Sequence, residues 1–134
     1  MILKVDHIGV AVKDLSNSNK LFAALLGRDN YKIEEVTSES VTTSFFNVND
    51  TKIELLAAIS DQGPISKFIE KKGEGIHHIA FEVEDIYEAI EELKAEGFTF
   101  INEEPKQGAD NKLICFVHPK TSNGVLVELC QTIK

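Results

Sequence analysis

Apolar and polar residues alternate from Val5 to Val12, with Ile8, Val10 and Val12 on one parity and His7, Gly9 and Ala11 on the other. That two-residue period predicts a strand with one face turned to a core. A helical period follows at once: Asp14 is a natural N-cap, Leu15, Phe22, Leu25 and Leu26 mark an apolar face, and Gly27 sits where a C-terminal glycine belongs. Strand patterns then run near 31–37, 41–48 and 52–58, with a turn at Asn49-Asp50. Gly63-Pro64 opens a short helix with Ile65, Phe68 and Ile69 facing inward, and Gly73 closes it.

The same order then repeats. Val5 to Leu15 lies on Ile76 to Ile86 without a gap at an offset of 71 residues (78 − 7), placing His7 on His78. Asp85 is the second N-cap, and Glu88 three residues later resembles a capping box. Ile86, Ala89, Ile90 and Leu93 form the second apolar helix face, and Gly97 ends it. Strand patterns follow near 98–101, 112–118 and 124–131, with a turn from Pro119 to Gly124. The expected fold class is α+β: two tandem βαβββ modules, about 1–60 and 74–134, within a single domain spanning 1–134.

Strand parity sorts the chemistry. Ile79, Phe81 and Val83 must bury against a helix, which puts His77 with them and His78 on the opposite face. Ile53 and Leu55 likewise turn Glu54 away from the helices; Val125, Val127 and Leu129 turn Glu128 away. The Glu offset is 74 (128 − 54), differing from 71 by loop length alone. His7, Glu54, His78 and Glu128 thus occupy equivalent repeat positions on non-helical faces, and pseudo-twofold symmetry would bring the four together. A single strand histidine is ordinarily structural, but four metal-capable groups at matched positions require four coincidences. Each Glu also interrupts an apolar strand, where an unpaired charge costs several kcal/mol, on the order of 2–7 even for a neutral polar group. His77 reads as structural, because its repeat partner is Asp6. His118, before Pro119, is open between loop packing and substrate contact, and Lys71, Lys72 and Lys106 read as surface charges.

Composition narrows the partners. Over 134 residues, 22 acidic against 14 basic side chains give a formal charge of −8, and Arg28 is the only arginine. That excludes the basic footprint that nucleic acid demands and disfavours an anionic membrane surface. No apolar run reaches the ~20 residues of a membrane span, and the N-terminal pattern enters a strand directly, so a cytoplasmic location is expected. Cys115 and Cys130 lack metal or redox spacing and read as reduced core residues.

The tandem modules with one ligand per strand resemble the vicinal oxygen chelate (glyoxalase-like) superfamily. Longer stretches, Val5 to Val12, Asp50 to Leu56, Lys67 to Val83, and His118-Pro119-Lys120 with Gly124 to Leu129, are similar to its methylmalonyl-CoA epimerase family over nearly the whole chain. The resemblance implies an isomerase that moves the α-proton of an acyl-CoA thioester, a substrate of propionate metabolism, and a homodimer. It implies His7, His78 and Glu128 as ligands of one divalent ion, with Glu54 at the fourth position, where some members carry Gln. Two imidazoles and two carboxylates suit Co²⁺ foremost, or Mn²⁺, Ni²⁺ or Zn²⁺, better than Ca²⁺. Glu128 and Glu54 are then the candidate bases. Some bacterial members place a catalytic glutamate where this chain has Thr43, which cannot act as a base. An acidic chain that binds CoA phosphates needs local lysine, and Lys120, with His118, is the candidate substrate contact. A glyoxalase I-like lyase and a metal-free binding module of the same fold are the alternative readings.

Overall fold

A computed structural model describes residues 1–134. The elements are β1 (Ile2–Ala11), α1 (Leu15–Leu26), β2 (Lys32–Val36), β3 (Val41–Val48), β4 (Thr51–Ala58), α2 (Pro64–Lys72), β5 (Gly75–Val83), α3 (Ile86–Ala95), β6 (Lys106–Gln107), β7 (Lys112–Val117) and β8 (Val127–Thr132). No helix is long and apolar enough to cross a membrane.

The helix starts follow from their caps. Asp14 and Asp85 are extended and accept from the first-turn amides, Asn17 N–H at 3.0 Å in one case and Tyr87 and Glu88 N–H in the other. Side-chain hydrogen bonding with Glu92 and the Glu92 charge raise the Glu88 pKa. Gly27 ends α1 at φ 69, a left-handed conformation that lets its N–H reach Ala23 O at 2.9 Å.

The chain divides into two compact units, His7–His77 and Met1–Asp6 with His78–Lys134. In the first, strands lie in the order β2-β3-β4-β1, antiparallel except for the parallel β4/β1 pair. In the second the order is β6-β7-β8-β5, again antiparallel except for the parallel β8/β5 pair. The βαβββ topology therefore recurs, and its registers agree: Gly9 faces Glu54, and Ala80 faces Glu128. These partners stand 71 (80 − 9) and 74 (128 − 54) residues apart, the offsets read from the sequence. Together these features are the α+β arrangement of two tandem βαβββ modules expected from the sequence.

Each unit packs its helix on one sheet face. Leu15, Phe22, Ala23 and Leu26 of α1 cover Val12, Phe46, Leu55 and Ala57. Ile86, Ala89, Ile90 and Leu93 of α3 pack with Val83, Phe100, Cys115, Val117 and Leu129. Three expectations are corrected. Leu25 is 72% exposed: at 100° per residue Leu25 and Ala23 lie about 80° to either side of the Leu15–Phe22–Leu26 stripe, and Ala23 is the one that packs inward. The strand expected at 98–101 shrinks to one bridge, Phe100 with Val117, since the polar run ending in Pro105 cannot extend the ladder; the edge passes to β6. Finally, β8 begins at Val127 and not at 124. Gly124 N–H is held by Pro119 O at 2.7 Å in the preceding turn, leaving Val125 43% exposed.

The contrast between helix faces gives a direct expectation. Ile86→Ala, at a fully buried position, lowers unfolding free energy by about 3 kcal/mol, whereas Leu25→Ala changes it by less than about 0.5. Urea titration of both variants measures the difference. Equal losses would return Leu25 to the core.

Candidate metal centre

The non-helical faces carry the chemistry. In the unit His7–His77, β1 presents His7, Gly9 and Ala11; β4 presents Lys52, Glu54 and Leu56; β3 presents Thr43, Phe45 and Asn47. Gly9 stands directly across from Glu54 and contributes no bulk, so the imidazole two residues away reaches the carboxylate: His7 Nδ1 lies 3.2 Å from Glu54 Oε2. The second unit repeats the device. Ala80 stands across from Glu128, and His78 Nε2 lies 3.2 Å from Glu128 Oε1. Phe116, in register with Glu128, meets the His78 ring edge-on at 6.0 Å and limits its rotation. His7, Glu54, His78 and Glu128 are all buried.

In each unit a carboxylate is held against an imidazole nitrogen, a pairing of donor types that suits a borderline divalent ion. The buried histidine, aspartate and glutamate side chains comprise His7, Glu54, His78, Glu128 and Asp6. Asp6 was not legible as a buried acid from the sequence, because its partner, Lys112 Nζ at 3.2 Å, is 106 residues away. Lys112 itself opens a strand where a surface lysine would be expected, and no local signal marks it as buried.

The other singled-out residues fall elsewhere. His77 lies on the opposite face from His78 and packs edge-on against Phe68 of α2, with ring centroids 4.9 Å apart. His118 Nδ1 accepts from Lys120 N–H at 3.1 Å, and Thr121 Oγ1 donates to His118 O at 2.8 Å, so the imidazole caps the turn Pro119–Thr121. That bond occupies Nδ1 as an acceptor and leaves Nε2 as the proton-bearing nitrogen of the neutral ring. The Lys120 side chain is exposed. Thr43 is buried between Glu34 and Leu56 in the ladder, two residues from Phe45, which faces Glu54.

Both cysteines are free and buried, Cys115 on the α3 side and Cys130 on the side of Ala80 and Ile114. Burial, followed by the Glu128 charge, pushes the Cys115 thiol up to about 12; burial, followed by the Asp6 charge, raises Cys130 as well. At pH 8 both are protonated and shielded, so iodoacetamide leaves the native chain unmodified and labels both thiols in urea. Rapid labelling of the folded chain, read by mass, would contradict this.

The Glyoxalase/Bleomycin resistance protein/Dioxygenase superfamily model matches residues 6–116. The ethylmalonyl-CoA/methylmalonyl-CoA epimerase of Cereibacter sphaeroides is 41% identical over 133 residues, covering 98% of this chain and 99% of the relative. The mitochondrial methylmalonyl-CoA epimerase of Dictyostelium discoideum is 42% identical over 127 residues, covering 94% and 76%. A Streptomyces coelicolor methylmalonyl-CoA epimerase in complex with 2-nitronate-propionyl-CoA superposes with a TM-score of 0.94 at 29% identity, covering 98% of this chain and 96% of the other. With the repeated βαβββ order and a family match across most of its length, the chain belongs to the glyoxalase/bleomycin resistance protein/dioxygenase superfamily.

Proposed function

We propose that this chain is an epimerase that inverts the α-carbon of methylmalonyl-CoA by two-base proton transfer. The observation that carries the reading is the repeated His/Glu pair, His7 with Glu54 and His78 with Glu128, each at 3.2 Å and each set by the same parallel register. The extent of the likeness to epimerases supports the substrate class.

His7, Glu54, His78 and Glu128 would hold one divalent ion, Co²⁺ foremost and otherwise Mn²⁺, Ni²⁺ or Zn²⁺. When bound, it supplies Lewis-acid stabilisation of the negative charge that develops on the thioester oxygen. The residues must do the rest. Inversion requires a proton acceptor on one side of the planar carbanion and a donor on the other, within hydrogen-bond reach. Glu128 and Glu54 come from symmetry-related strands of the repeat and so can serve opposite sides: one carboxylate takes the α-proton while the other, protonated, returns one. Thr43 has no proton-accepting group of useful basicity, which leaves the second role to Glu54. While both are ionised, before one takes up the proton it will return, the two carboxylates balance a 2+ ion, so the anionic substrate approaches a centre of low net charge. Lys120 is proposed for the CoA phosphates and His118, through Nε2–H, for a substrate acceptor atom. A homodimer acting in the cytoplasm completes the reading.

The test is direct. The metal-reconstituted chain is given (S)-methylmalonyl-CoA in deuterated water, and both the appearance of the (R) epimer and deuterium at the α-carbon are followed. Inversion with solvent deuterium incorporation supports the proposal. Turnover of a glutathione hemithioacetal with none of the CoA thioester would replace it with a lyase.

A further inference from the structure

A second charged cluster is buried in the unit formed by Met1–Asp6 and His78–Lys134. Lys112 is only 8% exposed, and Asp6 only 1%. The Lys112 ammonium lies 3.2 Å from Asp6 Oδ1, 3.0 Å from Thr132 Oγ1 and 3.7 Å from Glu82 Oε2, while Thr132 Oγ1 donates to Glu82 Oε2 at 2.6 Å. The ladder explains the meeting. Lys112 faces Thr132, and Glu82 faces Cys130, so Lys112, Glu82 and Thr132 share the sheet face of His78 and Glu128. Ala80, Ile114 and Cys130 fill the interval between the two polar groups as a buried apolar cluster.

Apolar side chains in place of Lys112, Asp6 and Glu82 together would fill the same space without removing three charges from water, so stability alone is a weak reason for the cluster. Its geometric consequence is specific. Asp6 is the last residue of the Met1–Asp6 segment of its unit, and the peptide bond that follows it carries His7. A tilt of a few tens of degrees in that peptide swings the imidazole by more than the roughly 0.5 Å a ligand can tolerate.

We propose that Lys112 is a positioning residue for the metal centre: by gripping Asp6 against Thr132 and Glu82, it fixes the backbone from which His7 projects. The inference rests on the reading of His7 as a ligand. Lys112 touches neither metal nor substrate and acts only through Asp6.

Charge and geometry oppose each other here, which makes the role measurable. Removing a positive charge from the neighbourhood of a cation strengthens its binding by electrostatics alone. Loss of positioning weakens it, by about 10–100-fold where the support of a ligand is removed. The experiment is Co²⁺ titration of the apo chain, followed by calorimetry and by the visible absorption of the bound ion. Wild type, Lys112→Met, Thr132→Val and Ile90→Val are compared, each first shown to be folded. Lys112→Met is expected to bind Co²⁺ about 10–100-fold more weakly with a changed absorption band. Thr132→Val, which alters no charge, shifts both in the same direction by less. Ile90→Val, a core substitution beneath α3, loses stability and leaves both readouts unchanged. Should Lys112→Met fail to fold, Thr132→Val carries the comparison. Wild-type or tighter Co²⁺ binding in these folded variants overturns the positioning role and leaves the centre intact. Absence of Co²⁺ binding in the wild type overturns the metal reading itself, and this inference with it.

Discussion

His78→Ala abolishes tight binding of a divalent ion, whereas His77→Ala retains it. The two histidines are neighbours in sequence and differ only in strand parity, so composition, local charge and helix content are unchanged between the variants. His78 sits on the face where Glu128 lies 3.2 Å away, and its ring is steadied by Phe116. His77 points to the other face and meets Phe68. Loss of one of four ligands costs far more than the 10–100-fold that a supporting group costs, so the His78 variant should fall below detection at micromolar ion. His77→Ala instead removes an aromatic contact, an effect of about 1 kcal/mol on stability. Metal content after dialysis, with calorimetric titration, reads the first effect; thermal unfolding reads the second. Equal retention of metal by the two variants would remove the parity argument.

The parity that this comparison uses was legible because the two modules carry the same pattern twice. A single DHI segment reads as any half-buried strand. Paired with Gly75-Ile76-His77-His78-Ile79-Ala80, it fixes which histidine matches which, and the ladder then reproduces the alignment through Gly9–Glu54 and Ala80–Glu128. Caps were equally readable, since Asp14 and Asp85 act within three residues of themselves. What escaped the sequence is what long-range packing decides. Leu25 and Ala23 flank the α1 stripe symmetrically, and packing against the sheet, which the helical period does not encode, takes Ala23 inward. The 98–101 segment keeps its apolar alternation, Phe98 and Phe100 packing beneath α3, yet lacks a pairing strand for more than one bridge. Lys112, opening β7, and Asp6, within β1, look like surface charges, and their mutual burial depends on a contact spanning most of the chain. His118 caps its turn through Nδ1, a bond that no strand or helix period encodes.

Glu54→Gln keeps much of the metal affinity and loses epimerisation by about 10²–10⁴-fold, the contribution a positioned acid–base group makes. Glutamine matches glutamate in shape and retains a carbonyl oxygen as donor, and some relatives of the chain by resemblance carry it at this position. It cannot accept or return a proton. Inversion needs both sides of the carbanion served, so removing one base stops it even though the other still works. Glu128, in the second unit and in register with Ala80, remains able to exchange the α-proton of one epimer with solvent. The expected signature is therefore asymmetric: in deuterated water one epimer of methylmalonyl-CoA exchanges its α-hydrogen and the other does not, with no interconversion. Glu128→Gln should show the mirror image, with exchange confined to the opposite epimer. Burial of Glu54 makes the loss one of proton transfer and not of folding, because a neutral amide is less costly to bury than a carboxylate. Near wild-type inversion by Glu54→Gln would sink the two-glutamate scheme. The second proton would then have to come from a water or from a group on another strand, and with Thr43 lacking a basic atom the ladder offers Glu34, directly across from it on β2, as the next residue to substitute.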